Sequence, residues 1–265
     1  MSSVLPFSRE AGRGPTVLCL HSNASHSGQW RGLMDRLADR FRVVAVDSWG
    51  AGRTADWPSD RTIQLADEVD LLEPLLQQAS DPAYLVGHSY GGAVALKAAL
   101  LHPHRFGGLA LYEPTLFALV DRIAPHEVDG IRHAVAAGSA LLDRGDADGA
   151  AGAFIDFWMG PGSWAATPAD RKPAVVQSGT NLRRWRHALF TEPATLADLR
   201  KLAMPVLVMT GSRSQRSSLS VAELLLRTLP NARGVEFTSL GHMAPVTDPD
   251  PINAEIARFL DEVAR

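Results

Sequence analysis

Six short apolar runs recur along the chain, and between them lie longer stretches in which apolar residues return every three or four positions. The runs are Thr16–His21, Val43–Asp47, Tyr84–His88, Leu109–Glu113, Val206–Gly211 and Val235–Leu240. Most are apolar at consecutive positions rather than at alternate ones, which suits parallel strands buried on both faces. The helical stretches lie near 28–40, 63–79, 89–102, 218–229 and 251–264. Strand and helix in alternation predict a doubly wound, mostly parallel sheet. Ser220-Val221-Ala222-Glu223 has the form of a capping box, and Asp250-Pro251 offers an N-cap followed by proline in the first helical position.

The alternation stops between Pro114 and about Pro205. Helical pieces occur there (Ile131–Leu142, Ala147–Met159, Arg183–Phe190, and one expected to start at Thr167-Pro168), but no strand. A stretch of roughly 90 residues exceeds any ordinary connection between strands. The expected organisation is therefore a core of residues 1–114 and 204–265 with a helical cap, residues 115–203, inserted after the strand that ends at Glu113. Gly138 and Gly160-Pro161-Gly162 are candidate hinges in it.

Charge narrows the partners. The 265 residues carry a net charge of −3, and their arginines are interspersed with Asp and Glu, so no basic surface for nucleic acid is expected. Cys19, the single cysteine, sits in an apolar run and is expected to be a buried hydrophobe. No segment reaches the roughly 20 apolar residues that span a bilayer, and Met1–Phe7 has no basic start for a secretory signal. The expectation is a cytoplasmic monomer or homodimer with a small-molecule substrate. Metal-ligand spacing of Cys and His is not seen in the sequence, so neither a metal nor an organic cofactor is expected.

Gly87-His88-Ser89-Tyr90-Gly91 has the Gly-x-Ser-x-Gly pattern, between the run Tyr84–Val86 and the helical stretch from Ala93. A strand-to-helix turn this sharp presents Ser89 at the carboxyl edge of the sheet, where its hydroxyl can act as a nucleophile. A hydroxyl needs a base. His242, on the loop between the last predicted strand and the last helix, occupies the place that chain order gives to the base in such a site. Two backbone N–H groups should face the developing oxyanion: that of Tyr90, after the nucleophile, and one from the loop His21-Ser22-Asn23-Ala24, for which Asn23 is the candidate.

With these motifs, and with Val46-Asp47-Ser48-Trp49-Gly50-Ala51-Gly52-Arg53, the chain resembles the α/β-hydrolase superfamily from about Gly14 onward. The resemblance is to the capped group that holds esterases, carbon–carbon bond hydrolases and haloalkane dehalogenases. It departs from the family in three places. His21 is followed by Ser22 where glycine is usual, the N-terminal segment is short enough for the first strand to be missing, and the triad acid is not where the family commonly has it. After the strand Val206–Gly211 the pattern Gly-x-x-Asp is expected, but the chain reads Gly211-Ser212-Arg213-Ser214.

Some relatives, one group of haloalkane dehalogenases among them, carry the acid after the preceding strand instead. Glu113 resembles that relocated acid. A Ser-His dyad with water in place of the acid is the alternative, and Asp198 and Glu236 are other carboxylates to weigh. Asn23 also resembles a dehalogenase residue, but that chemistry needs a carboxylate nucleophile where Ser89 stands. The resemblance thus implies acyl transfer to and from Ser89 on a small to medium hydrophobic ester or thioester. A carbon–carbon hydrolase, a lyase or cyclase, and a non-catalytic ligand-binding protein stay open. Ser22, Phe117, Phe157, Trp158 and Met243 are the candidate substrate contacts, with Phe154 and Met159 in the same apolar cluster.

Overall fold

The computed structural model describes residues 4–265; Met1, Ser2 and Ser3, which begin the stretch read above for a secretory signal, lie outside the described residues. Seven strands form one sheet: β1 Ser8–Ala11, β2 Thr16–Leu20, β3 Arg42–Val46, β4 Ala83–His88, β5 Phe106–Tyr112, β6 Val206–Gly211 and β7 Ala232–Phe237. Their spatial order is β1-β3-β2-β4-β5-β6-β7, and every pairing is parallel except β1 with β3.

The helices are α1 Arg31–Leu37, α2 Leu65–Leu76, α3 Tyr90–Leu101, α4 Phe117–Asp121, α5 Asp129–Asp143, α6 Ala147–Met159, α7 Ser163–Ala166, α8 Lys172–Gly179, α9 Leu182–Phe190, α10 Leu196–Leu199, α11 Arg216–Thr228, α12 Ala244–Thr247 and α13 Pro249–Val263.

The consecutive apolar runs are explained by cores on both faces of the sheet. Leu18, Leu20, Leu85, Leu109, Leu111 and Val208 pack against α2, α3 and α11. Their neighbours in sequence, Val17, Cys19, Val86, Ala110 and Leu207, pack against α1 and α13. Successive side chains of a strand point to opposite faces, so a strand covered on both sides must be apolar throughout. Cys19 is fully buried, and burial pushes its thiol pKa far up, which keeps it protonated.

Several expectations are corrected. A first strand exists: Ser8–Ala11 pairs antiparallel with β3 at the sheet edge, where one polar, partly exposed strand suffices. The last strand lies three residues earlier than expected, because Ala232–Phe237 alternates in burial along an outer edge and Ser239–Leu240 belong to the following loop. The capping box at Ser220 is not used. Helix α11 already starts at Arg216, and Ser220 turns its hydroxyl to the Arg216 carbonyl and to Glu127. Helix α13 starts with Pro249 after Asp248, two residues before Pro251. No helix starts at Thr167-Pro168; the next one is α8, from Lys172. Gly138 lies inside α5, and a Cβ there would meet Leu182 at 2.6 Å.

Between β5 and β6 the described residues hold helices only, α4 to α10, which lie over the carboxyl ends of the central strands. Among the described residues no helix is long and apolar enough to cross a membrane.

Candidate active site

The turn from β4 to α3 is built by glycine. A Cβ on Gly87 would come within 2.6 Å of the Gly91 carbonyl oxygen, and one on Gly91 within 2.3 Å of the Leu20 carbonyl oxygen. Only hydrogen fits at either place, so strand, helix and the neighbouring β2 loop close around the turn. Ser89 sits at its apex with φ 54° and ψ −115°, a backbone that L-residues adopt at a cost and that persists only when the surroundings hold it. Its N–H donates to the Tyr112 carbonyl at 3.0 Å, and its own carbonyl accepts from Thr115 N–H at 3.2 Å. The elbow is thereby bolted to the end of β5 and the loop beyond it.

Ser89 Oγ lies 2.9 Å from His242 Nε2, and His242 Nδ1 lies 2.7 Å from Glu113 Oε2. Three residues brought from the ends of β4, β5 and β7 form one continuous line, and all three are buried. Glu113 is also strained, with φ 42° just past the last residue of β5.

A fully buried carboxylate must be met by donors. Glu113 Oε1 accepts from Gly211 N–H at 2.7 Å and from the Ser214 hydroxyl, and Oε2 accepts from Ser218 at 3.0 Å besides His242. Ser214 is the serine that stands where the family's aspartate was expected. It is a donor to the Glu113 carboxylate. Asp198 instead caps α10 and pairs with Lys201, and Glu236 is exposed on β7, so neither addresses His242.

The loop carrying His242 is pinned by two further side chains. His88 Nε2–H donates to the His242 carbonyl at 2.8 Å, and the Tyr112 hydroxyl donates to the Gly241 carbonyl at 2.8 Å. Burial, and after it the closeness of His242, holds the His88 pKa well below the usual histidine range. The ring is therefore neutral, with Nδ1 free to accept from the Gln29 amide at 3.1 Å. Gln29 Oε1 in turn receives the N–H and hydroxyl of Ser22, both at 3.3 Å. The Trp158 indole, from the end of α6, stacks on the His242 ring with centroids 3.9 Å apart and planes at 22°.

The oxyanion candidates are adjacent. Tyr90 opens α3, so its N–H has no partner within the helix. The loop after β2 is tied to the same turn by Gly91 N–H donating to the His21 carbonyl at 3.1 Å, and Asn23 faces the cavity with Ser89. The Tyr90 side chain points away from that cavity, and its hydroxyl donates to the buried Glu68 at 3.1 Å. Burial, opposed by the hydrogen bonds from Trp49 N–H and Tyr90, pushes the Glu68 pKa up to about 7.

A narrow cavity rises from Ser89 among the helices between β5 and β6. Thr115, Phe117, Phe154, Trp158, Trp185 and Phe190 contribute to its wall, and Arg186 is its one charged side chain. Its volume is about 20 Å³, enough for one water.

Phe117 and Trp158 border this cavity, and three other residues weighed as substrate contacts do not. Ser22 is buried against Gln29; Phe157 turns its ring to Gly130 and Trp158; Met243 lines a second depression together with Trp158 and His242. Phe154 and Trp158 follow one helical face of α6, and Phe157 falls on another. Gln29, Tyr112, Ser218 and Arg186 were not singled out from sequence. Their roles depend on long-range neighbours, and no motif marks them.

Among the described residues, no group of three or more His, Cys, Asp or Glu could hold a metal. The model of the alpha/beta hydrolase fold family matches residues 15–249. Lipase LipV of Mycobacterium tuberculosis is 30% identical over 258 residues, covering 92% of each chain. The pimeloyl-[acyl-carrier protein] methyl ester esterase of Nitrosomonas europaea is 26% identical over 256 residues, 90% of this chain and 93% of that one. An alpha/beta hydrolase crystal structure from Sphaerobacter thermophilus superposes with a TM-score of 0.71 at 25% identity, covering 93% and 94% of the two chains. The chain belongs to the alpha/beta hydrolase fold family.

Proposed function

We propose that this protein is a serine hydrolase of carboxylic esters or thioesters, working through Ser89, His242 and Glu113 and an acyl-enzyme. The observation that carries the reading is the unbroken line of hydrogen bonds from Ser89 Oγ through His242 to Glu113, at 2.9 and 2.7 Å, at the foot of an apolar cavity. The names of the relatives, a lipase and a methyl ester esterase, point the same way. A ligand-binding protein would have no need of a carboxylate held by four donors behind a histidine.

In this reading His242 Nε2 takes the Ser89 proton as Oγ attacks the carbonyl carbon. The negative charge moves to the carbonyl oxygen, facing the N–H groups of Tyr90 and Asn23. Glu113 holds Nδ1–H, so Nε2 is the free acceptor, and it offsets the positive charge on the ring. The new proton on Nε2 passes to the leaving alcohol or thiol. Water then repeats the sequence on the acyl-enzyme and frees the acid and Ser89. The acyl or alcohol group lies among Phe117, Phe154 and Trp158, which favours small to medium hydrophobic groups.

The test is turnover of short-chain 4-nitrophenyl esters by the wild type and Ser89→Ala, together with mass spectrometry after a fluorophosphonate probe. Turnover lost in the variant, and one probe adduct mapped to Ser89, are expected. A wild type no faster than Ser89→Ala, or an adduct elsewhere, would overturn the assignment.

A further inference from the structure

Arg186 is out of character with the cavity it borders. The walls around it are aromatic and aliphatic, yet this one arginine of α9 borders the space that begins at Ser89. The arginines of α9 are otherwise engaged: Arg183 pairs with Asp143, and Arg184 bonds the Asn181 side chain. Among the described residues no carboxylate lies within ion-pair distance of Arg186, and no acceptor takes its hydrogen bonds. Its side chain stays exposed while its neighbours Trp185 and Leu189 are buried. A guanidinium offers five N–H donors in a fork that matches a planar oxyanion.

Resting on the ester-hydrolase reading, we infer that Arg186 selects substrates bearing an anion at the end remote from the ester. The hydrophobic part fills the aromatic passage, the ester reaches Ser89, and the terminal carboxylate or phosphate stays at the mouth, where Arg186 receives it in water. The substrate class is thus amphiphilic, an ester with an apolar middle and an anionic end. An exposed pair of this kind discriminates by about two- to fivefold and weakens with salt.

The experiment compares 4-nitrophenyl esters of matched chain length: one ending in methyl, one in carboxylate and one in phosphate. The measured quantity is the ratio of kcat/KM for each anionic ester to that for the neutral one, in wild type, Arg186→Gln, Arg186→Glu and Arg186→Lys. A ratio rather than an activity cancels any general loss from altered packing. Expected is a wild-type ratio of about two to five at low salt for at least one anion. It should collapse toward one in Arg186→Gln, fall below one in Arg186→Glu and recover in part in Arg186→Lys. The larger of the two anionic ratios identifies the end group. A wild-type ratio near one, or a ratio that Arg186→Gln leaves in place, would overturn the inference while hydrolysis of the neutral ester upheld the serine mechanism. If no ester were turned over, calorimetry of Ser89→Ala with the two anionic esters, against the further Arg186→Gln change, would decide the question alone. Affinity lost with the guanidinium would uphold the anion site, and equal affinity or none would end it.

Discussion

Glu113→Gln changes one oxygen to NH2 and almost nothing in volume, yet the surroundings of Glu113 predict a severe effect. Four donors converge on the carboxylate: Gly211 N–H, the hydroxyls of Ser214 and Ser218, and His242 Nδ1–H. An amide has one acceptor oxygen. The Gly211 N–H cannot turn, so that oxygen must take the Oε1 place and the NH2 must face His242. The NH2 then donates to Nδ1, which moves the ring proton to Nε2, and Nε2 can no longer accept from Ser89. The variant also loses the anion beside the imidazolium. At 2.7 Å and an effective dielectric of about 20, that attraction is about 6 kcal/mol, an upper measure of the effect. A factor of ten costs about 1.4 kcal/mol, so kcat should fall about 10³- to 10⁴-fold. KM should change little, since Glu113 does not border the cavity. Steady-state hydrolysis of a 4-nitrophenyl ester, with thermal unfolding as the control, measures this. A folded Glu113→Gln enzyme within tenfold of wild-type kcat would refute the argument and leave a Ser-His dyad or another acid.

Other expectations come from the same neighbourhood. Ser214→Ala removes one charge-assisted hydrogen bond from Glu113 and should lower kcat by about tenfold in the same assay. Glu113→Ser should be nearly inactive, and adding Ser214→Asp should restore at least tenfold, because the side chain at 214 already touches the carboxylate position; no gain in the double variant would contradict this. Trp158→Leu removes the ring stacked on His242, and with it about 1 kcal/mol of cation–π support for the imidazolium. Its kcat should drop about fivefold, with Trp158→Phe between it and the wild type. For Glu68 the folded pKa of about 7 lies above the ordinary 4.5, so the native state gains relative stability below 4.5 and loses it as pH rises through 7. Glu68→Gln lifts that cost, so urea unfolding should show its advantage over wild type growing by about 3 kcal/mol between pH 4 and 8.5; a pH-independent difference would count against the buried charge.

Much of this was legible in the residues. Runs such as Val17–Leu20 announced parallel strands because both faces of the sheet need apolar side chains. Gly87 and Gly91 announced the elbow because the backbones there leave no room for a Cβ. What stayed hidden depends on contacts between distant segments. The edge strand Ser8–Ala11 has no apolar pattern, since it is only partly buried and held by backbone bonds to β3. Ser220 looked like a cap because local bonding favours it, yet packing of Val221, Ala222 and Leu225 carried the helix a turn further back. In α6 the apolar cluster was visible, but which ring faces the cavity depends on where the cap lies over the sheet. Ser22 and Met243 were near the site in sequence, yet Ser22 bonds Gln29 and Met243 lines a separate depression.

Sheet order lets a carboxylate reach His242 from either of two strands. Strands β5 and β6 are parallel neighbours, with Tyr112 opposite Met209, so their carboxyl ends open side by side beneath the His242 loop. Neighbouring strands are about 4.8 Å apart, roughly the reach of a carboxylate side chain. A carboxylate leaving either strand can therefore arrive at the same Nδ1 while the serine and histidine stay in place. From β5 the approach uses the longer Glu side chain and a backbone turned to φ 42° at residue 113. The β6 loop then supplies donors instead of the charge: Gly211 N–H, Ser214 and, from the first turn of α11, Ser218. A second carboxylate at 214 beside Glu113 would set two like charges in a dry site, at a cost of several kcal/mol unless one were protonated. Serine at 214 is thus the complement of glutamate at 113, and the two positions are best understood as one site that holds a single negative charge.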